Sequence, residues 1–235
     1  MKELMTAQGK NNQEESHWLS ISDLMAGLMV VFMFIAIAFM LNVQKDKNRI
    51  EGIALEYRDT QLAIYRALLL EFGEDLKRWD ADLSKKTLTL TFRSPDILFK
   101  GGKSEINEQY RQLLNEFAPR YFSALTPFFD VIQEVRIEGH TSSEWEGNTP
   151  PKEAYYQNME LSQERTKSVL THLYALPQIS DDLFIRSKLV AIGYSSSRLE
   201  RHKNNSENKE ASRRVNFTVI TNADAKLREI YKDRS

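Results

Sequence analysis

The chain of 235 residues contains no cysteine. Disulfides and thiolate metal sites are therefore excluded, and cysteine usage says nothing about the compartment. Histidine is scarce. His17, His140, His172 and His202 lie far apart and show no metal-ligand spacing. Phosphate-binding glycine loops, the dinucleotide fingerprint and the nucleophile elbow are also missing. On these grounds no enzyme activity, cofactor or metal is expected. Nor is there an excess of charge of one sign: 32 basic residues face 33 acidic ones, for a formal net charge of -1. Nucleic-acid binders usually carry a clustered basic surface, so no direct nucleic-acid partner is expected.

What the chain does have is one long apolar run, "SISDLMAGLMVVFMFIAIAFML", from Ser20 to Leu41. Counted from Leu19 it holds about 23 residues, roughly 34 Å of helix, against a hydrocarbon core of ~30 Å. Trp18 stands at its start, where interfacial aromatics concentrate. A cleaved signal peptide would have a shorter core followed by small residues, and "AFMLNVQKDKN" offers no such site. An uncleaved membrane anchor over 18–41 is predicted.

Only Ser20, Ser22 and Asp23 are polar in that run. One interpretation of Asp23 is a helix cap near the positive end of the helix dipole. Against it, Trp18, Leu19 and Ile21 already belong to the apolar segment. The other interpretation is an intramembrane carboxylate that carries ions. An ionised Asp at the centre of a membrane helix costs roughly 2.5–3.5 kcal/mol, so such groups face a bundle interior or a water path. Ala26 and Gly27 lie one turn on and leave room for a second helix beside the carboxylate. Ser22, Ala26 and Gly27 are accordingly expected next to the channel. One span makes no channel alone, so a multi-span partner is implied.

Orientation is contested by the charges. Lys2 and Lys10 precede the run, whereas Lys45, Lys47, Arg49 and Arg58 follow it. Taken alone, this favours a cytoplasmic C-terminus.

Residues 44–81 read as a helix, with Ile50, Ile53, Tyr57, Ile64, Leu68, Phe72, Leu76 and Trp79 at steps of mostly three, four and seven. Two roles stay open for this stripe. It packs on the following domain, or it forms a homodimeric coiled coil near the channel mouth.

Beyond it, "TLTLTF" (Thr87–Phe92) alternates as a half-buried strand. A helix follows over Glu105–Leu125, bent or ended by Pro119. Strand "VRIEGH" (Val135–His140), helix Lys152–Ala175, and strands "LVAIGY" and "RRVNFTVI" complete the pattern. The order β-α-β-α-β-β predicts an α/β sandwich, with helices against a mixed sheet. "SSSRLERHKNNSENKEASRR" reads as a solvated basic loop and only weakly as a polyanion site.

Four of these blocks carry a resemblance. "IEGHT", "NMELSQERTKSVLTHL", "AIGYSSSRL" and "SRRVNFTVI", in this order, are similar to the OmpA-like peptidoglycan-binding domain. That family binds the diaminopimelate part of the wall's stem peptide. Its helix-start Arg pairs with a carboxylate and its loop Asp meets the amine. By position the resemblance implies a site of Thr141, Ser142, Asn158, Leu161 and Arg165. Ser142 stands where the family has Asp, and a serine makes no charge-assisted pair. Weaker wall binding is therefore expected, with Glu144 or backbone carbonyls as the groups that could compensate. His140 is expected to brace the loop.

The whole layout resembles the B subunit of ion-driven stators such as the flagellar motor. Within that group, "ISDLMAGLM", "EFGEDLKRWDADL" and "RIEGHTSSEW" resemble most the B subunits of the Zorya anti-phage defence systems. The resemblance implies an inner-membrane, single-pass, peptidoglycan-anchored subunit of a proton-driven (or Na⁺-driven) motor used in defence. It implies a homodimer inside a pentameric multi-span A subunit, with separate cytosolic effectors. It also implies a periplasmic C-terminal domain, which overrules the lysine count. The expected layout is a cytoplasmic tail (1–17), the span (18–41), a linker or dimerisation helix (42–81), the OmpA-like domain (82–222) and a tail (223–235). A flagellar-type motility stator and a passive membrane-to-wall tether are the alternatives. A tether has no use for Asp23.

Overall fold

The structure, a computed structural model, describes residues 2–93, 98–99, 102–179 and 183–222, with the backbone alone for 2–17 and 19–20. The tail expected over 223–235 lies outside the described residues. Two compact units are distinguished, Met1–Ala54 and Leu55–Ser235.

The first unit is helical. Helix α1 covers Lys2–Phe72, so Asp23 lies well inside a helix and not at its start. That removes the cap interpretation, because the unpaired N–H groups of α1 lie at its first turn. The segment from Ile21 onward is long and apolar enough to cross a membrane, and its apolar window is wholly exposed in the isolated chain. Such exposure is the opposite of a soluble core helix, which hides its apolar face.

The second unit takes in the end of α1. Ile64, Leu68 and Phe72, four residues apart, are fully buried in its core. Each side chain of that size contributes roughly 1.5–3 kcal/mol by leaving water. This part of the stripe therefore packs on its own domain, whereas Tyr57 stays exposed. The helix expected as far as residue 81 ends at Phe72 instead. A turn follows, then the one-turn helix α2 (Asp75–Arg78) and strand β1 (Ala81–Ser84). Leu76 and Trp79 still meet the core, but from this turn and not from a continuous helix.

Strand β1 was not foreseen. "ADLS" is too short to show alternation, and it pairs antiparallel with β2 (Thr89–Arg93). Helix α3 (Glu108–Leu125) starts three residues later than expected, because the Asn107 side chain accepts from Tyr110 N at 2.8 Å. It also continues through Pro119. Phe117, Ala118, Tyr121 and Phe122 around that proline are buried, and their packing outweighs one missing hydrogen bond. A short 3-10 turn (Thr126–Phe128) leads into β3 (Ile132–His140). Helices α4 (Pro151–Tyr174) and α5 (Leu183–Lys188) cross over to β4 (Leu189–Gly193). The one-turn helix α6 (Lys209–Ser212) precedes β5 (Arg214–Thr221).

The five-stranded sheet has the order β1-β2-β5-β3-β4. Its pairs are antiparallel except β3 with β4, which the α4–α5 crossover makes parallel. One face carries Leu90, Phe92, Val135, Ile137, Val215 and Phe217 into the core. Phe117 of α3 seals it, with ring centroids 5.2 Å from Phe92 and 5.0 Å from Phe217. The predicted OmpA-like mixed α/β fold is thus present, with an added hairpin strand and three short helices among the described residues.

Candidate functional site

The site grows from two glycines. Gly139 ends the pairing of β3 with β4, opposite Gly193. A Cβ on Gly139 would lie 2.7 Å from Ser162 O, and one on Gly193 2.5 Å from Gln163 N. No side chain fits there, so α4 comes down onto the sheet at Ser162–Gln163. This is why a glycine follows Glu138 and another follows Ile192.

Ser162 then locks the contact. Its Oγ accepts from Ser195 N at 3.0 Å and donates to Met159 O at 3.0 Å. Ser195, fully buried and in the left-handed region with φ 51°, donates to Tyr155 O at 2.7 Å. Its own carbonyl accepts from Thr141 N at 3.0 Å. The start of α4, the exit of β4 and the loop after β3 are thereby tied at one point.

Around that knot lies a cavity of about 280 Å³, lined by Thr141, Ser142, Asn158, Leu161 and Arg165. All five residues expected from the sequence converge here. Asn158 Nδ2 donates to Glu144 O at 2.9 Å and so shapes the loop. Arg165 is nearly buried; its Nε donates to Lys103 O at 3.1 Å, and its guanidinium lies 4.9 Å from the Phe99 ring centroid. The Thr141 hydroxyl is buried and finds no partner among the described residues.

Four further residues with a clear bearing on the site went unrecognised. Trp145 and Arg213 line the same cavity. Glu207 accepts from Ser143 N at 2.9 Å and from its hydroxyl, and Lys209 pairs with the Glu144 carboxylate. The long basic stretch is thus partly a strap over the site loop. Arg213 could have been found in the "SRRV" block; nothing local in the sequence pointed to Glu207 or Lys209. Both Lys209 and Glu144 are about half exposed, so their pair contributes only ~0–1 kcal/mol.

Chemically, the cavity offers guanidinium groups, two hydroxyls, an amide and, from exposed residues at its edge, the Glu144 and Glu146 carboxylates. Planar guanidinium donors suit a carboxylate, and the hydroxyls both donate and accept.

The opposite sheet face carries a different cluster, beside a larger cavity of about 560 Å³. Buried Glu138 and His140 lie next to each other, Oε2 to Nε2 at 3.5 Å. Asn216 Nδ2 is 3.4 Å from that Glu138 oxygen and 3.3 Å from His140 Nε2. The His140 ring stacks on Tyr194 at 5.2 Å. His140 is the last residue of β3, where the strand expected over Val135–His140 also ends. Burial holds its imidazole below the usual range, against the opposing effect of Glu138 and helped by Arg214 and Arg198. Burial alone would raise Glu138, but its contacts with His140, Asn216 and Arg198 bring it below the usual range.

In α1, Asp23 shares a helix face with Ala26 and Gly27, and Ser22 is its neighbour. All four are exposed in the isolated chain.

Comparison with known proteins agrees with this architecture. The OmpA family model matches residues 98–214. The chain is similar to the Zorya protein ZorB of Escherichia coli, 46% identical over 225 residues, covering 95% of this chain and 96% of that one. Among solved structures, it is similar to the cell wall anchor of the T6SS from Pseudomonas aeruginosa (22% identity, 66% of this chain, 96% of that chain, TM-score 0.46). It is also similar to a MotB-like protein from Desulfovibrio vulgaris (20% identity, 70% of this chain, 93% of that chain, TM-score 0.47). With near-complete coverage of both sequences at that identity, the chain belongs to the family of the Zorya protein ZorB.

Proposed function

We propose that this chain is the wall-anchored, ion-conducting B-type subunit of a stator-like inner-membrane complex that defends against phage. The observation that carries it is Asp23, a carboxylate inside an exposed apolar helix on a chain whose other unit has an OmpA-type cavity. A passive tether needs the second feature but not the first.

In this function α1 crosses the inner membrane once, with residues 1–17 cytoplasmic and the OmpA-like domain periplasmic. Asp23 binds and releases H⁺ (or Na⁺). An isolated span would leave the carboxylate against lipid, so a multi-span A subunit, in five copies around two of this chain, encloses it. Ala26 and Gly27 keep that side of α1 slim. The cavity at Thr141, Ser142, Asn158, Leu161 and Arg165 holds peptidoglycan, so that ion flow does work against a fixed point. Separate cytosolic effectors complete the defence.

The experiment is Asp23→Asn, which keeps the shape and removes titration. Phage plaquing on cells carrying the full system should return to the unprotected level while the complex still purifies intact. Full protection at normal expression would refute the ion-carrying role and leave the tether.

A further inference from the structure

We infer that the larger cavity, on the outward face of the sheet, is a binding site for a neutral oligosaccharide. It shares no lining residue with the stem-peptide cavity and does not rest on that cavity's role.

At about 560 Å³ the cavity is twice the volume of the other and within the range of small-ligand sites. Its floor is polar yet recessed. Thr89, Thr218, Asn216 and His140 lie on the sheet face away from the core, and none is more than 8% exposed. The polar face of an ordinary antiparallel sheet is instead open to water.

The arginines of the lining are paired within the protein. Arg136 donates to Glu134, Arg214 lies 3.4 Å from Glu200 Oε1, and Arg198 lies 3.9 Å from Glu138 Oε1. What stays unmet is neutral. Glu138 only accepts, so it draws Asn216 Nδ2 and His140 Nε2 toward itself, at 3.4 and 3.5 Å. Asn216 Oδ1 and His140 Nδ1 are then turned away from it, and these buried atoms find no partner among the described residues. Unmet buried acceptors call for a ligand that brings O–H or N–H donors. The terminal torsions of Asn and His are broad, so both side chains can turn toward such a donor. The hydroxyls of Thr89 and Thr218, 3.1 Å apart, donate or accept as needed. Tyr57 of α1, 41% exposed, adds an aromatic ring to the lining. A sugar presents hydroxyls at its edge and an apolar C–H face, and so meets both the floor and the tyrosine.

The test is calorimetric titration of the full chain, in a detergent without a sugar headgroup, with two neutral tetrasaccharides. One is built of N-acetylglucosamine, the sugar class of peptidoglycan; the other is built of glucose. At least one should bind with a Kd of about 1 mM or tighter, and the preferred one separates wall glycan from free glucan as the source. Tyr57→Ala and Thr218→Val should each weaken that binding about fivefold or more. Excess inorganic phosphate should not compete. Binding of neither sugar at about 10 mM overturns the proposal, as does binding that phosphate displaces or that both variants leave intact. If Thr218→Val fails to fold, Tyr57→Ala, at an exposed position, decides. Retention on sacculi tests the stem-peptide cavity separately, so either site can fail alone.

Discussion

Arg120 donates from Nη2 to the backbone carbonyl of Glu71 at 2.7 Å, and so caps the last turn of α1 from the side of α3. Its Nε reaches the Glu71 carboxylate at 2.6 Å, and Nη1 lies 2.9 Å from Asp75 Oδ2. The guanidinium also lies 5.0 Å from the Phe72 ring centroid. One side chain thus joins α1, α2 and α3. Arg120→Ala is expected to destabilise the domain by about 1.5–3 kcal/mol. Arg120→Lys should recover little, because an ammonium lacks the planar fork. Urea unfolding followed by tryptophan fluorescence, which reports Trp79 close by, checks both.

The end of α1 is part of the domain core, and fragments should reveal it. A fragment starting at residue 55 keeps Ile64, Leu68 and Phe72; one starting at 82 loses all three. The longer fragment should unfold cooperatively, and the shorter should lose that cooperativity. In the full chain, Leu68→Ala alone should cost about 2–5 kcal/mol. Calorimetry on the two fragments, and equal stability between them, would show the helix end to be dispensable.

Gly193→Ala should damage the site without touching the cavity lining. Its new Cβ would meet Gln163 N at 2.5 Å, and backbone has no flexible end with which to yield. Overpacking of this kind typically costs about 1–3 kcal/mol, and lifting α4 would move Asn158 and Arg165 together. Retention on purified sacculi should fall along with thermal stability. Unchanged retention would mean that α4 does not position the pocket.

Stability should depend on pH through His140. Its folded-state value lies below the ordinary 6.5, so on acidification the unfolded chain takes up the proton first. The contribution is complete above about pH 6.5 and is lost as pH falls below it. His172 is lowered too, by burial and by Arg111, and adds a shift of the same sign. Glu138 acts lower, losing its share as pH falls below its ordinary 4.5 toward the depressed value. Melting temperatures between pH 7.5 and 5 (a range of conditions on the order of the histidine window) should drop less in His140→Gln than in the wild type. Identical slopes would count against His140.

The core strands and the two long domain helices were legible because their periodicity is strong. Val135, Ile137, Val215 and Phe217 alternate inward, and Val169 and Leu173 recur along α4. The five expected cavity residues were legible for a different reason: they sit in blocks whose order matches a family. What escaped was set by distance in sequence. Glu207 and Lys209 reach Ser143 and Glu144 across more than sixty positions, and neither has a local pattern to mark it. The end of α1 escaped because Leu76 and Trp79 continue its stripe, although a turn at Gly73 interrupts the helix.

The sheet order places β5, the last strand among the described residues, between β2 and β3. Leu88, buried in the β1–β2 turn, holds a left-handed backbone with φ 51°, and its carbonyl accepts from Val219 N of β5 at 3.1 Å. The early hairpin therefore contains a strained turn whose compensation arrives only with the final strand. A nascent chain emerging N-terminus first holds β1–β2 as one fragment and β3–β4 as another, with nothing between them. Folding is slow when pairing is this non-local, and exposed strand edges attract chaperones and proteases meanwhile. Any product cut short before residue 214 lacks the strand that joins the two halves, and leaves the inner edges of β2 and β3 unpaired.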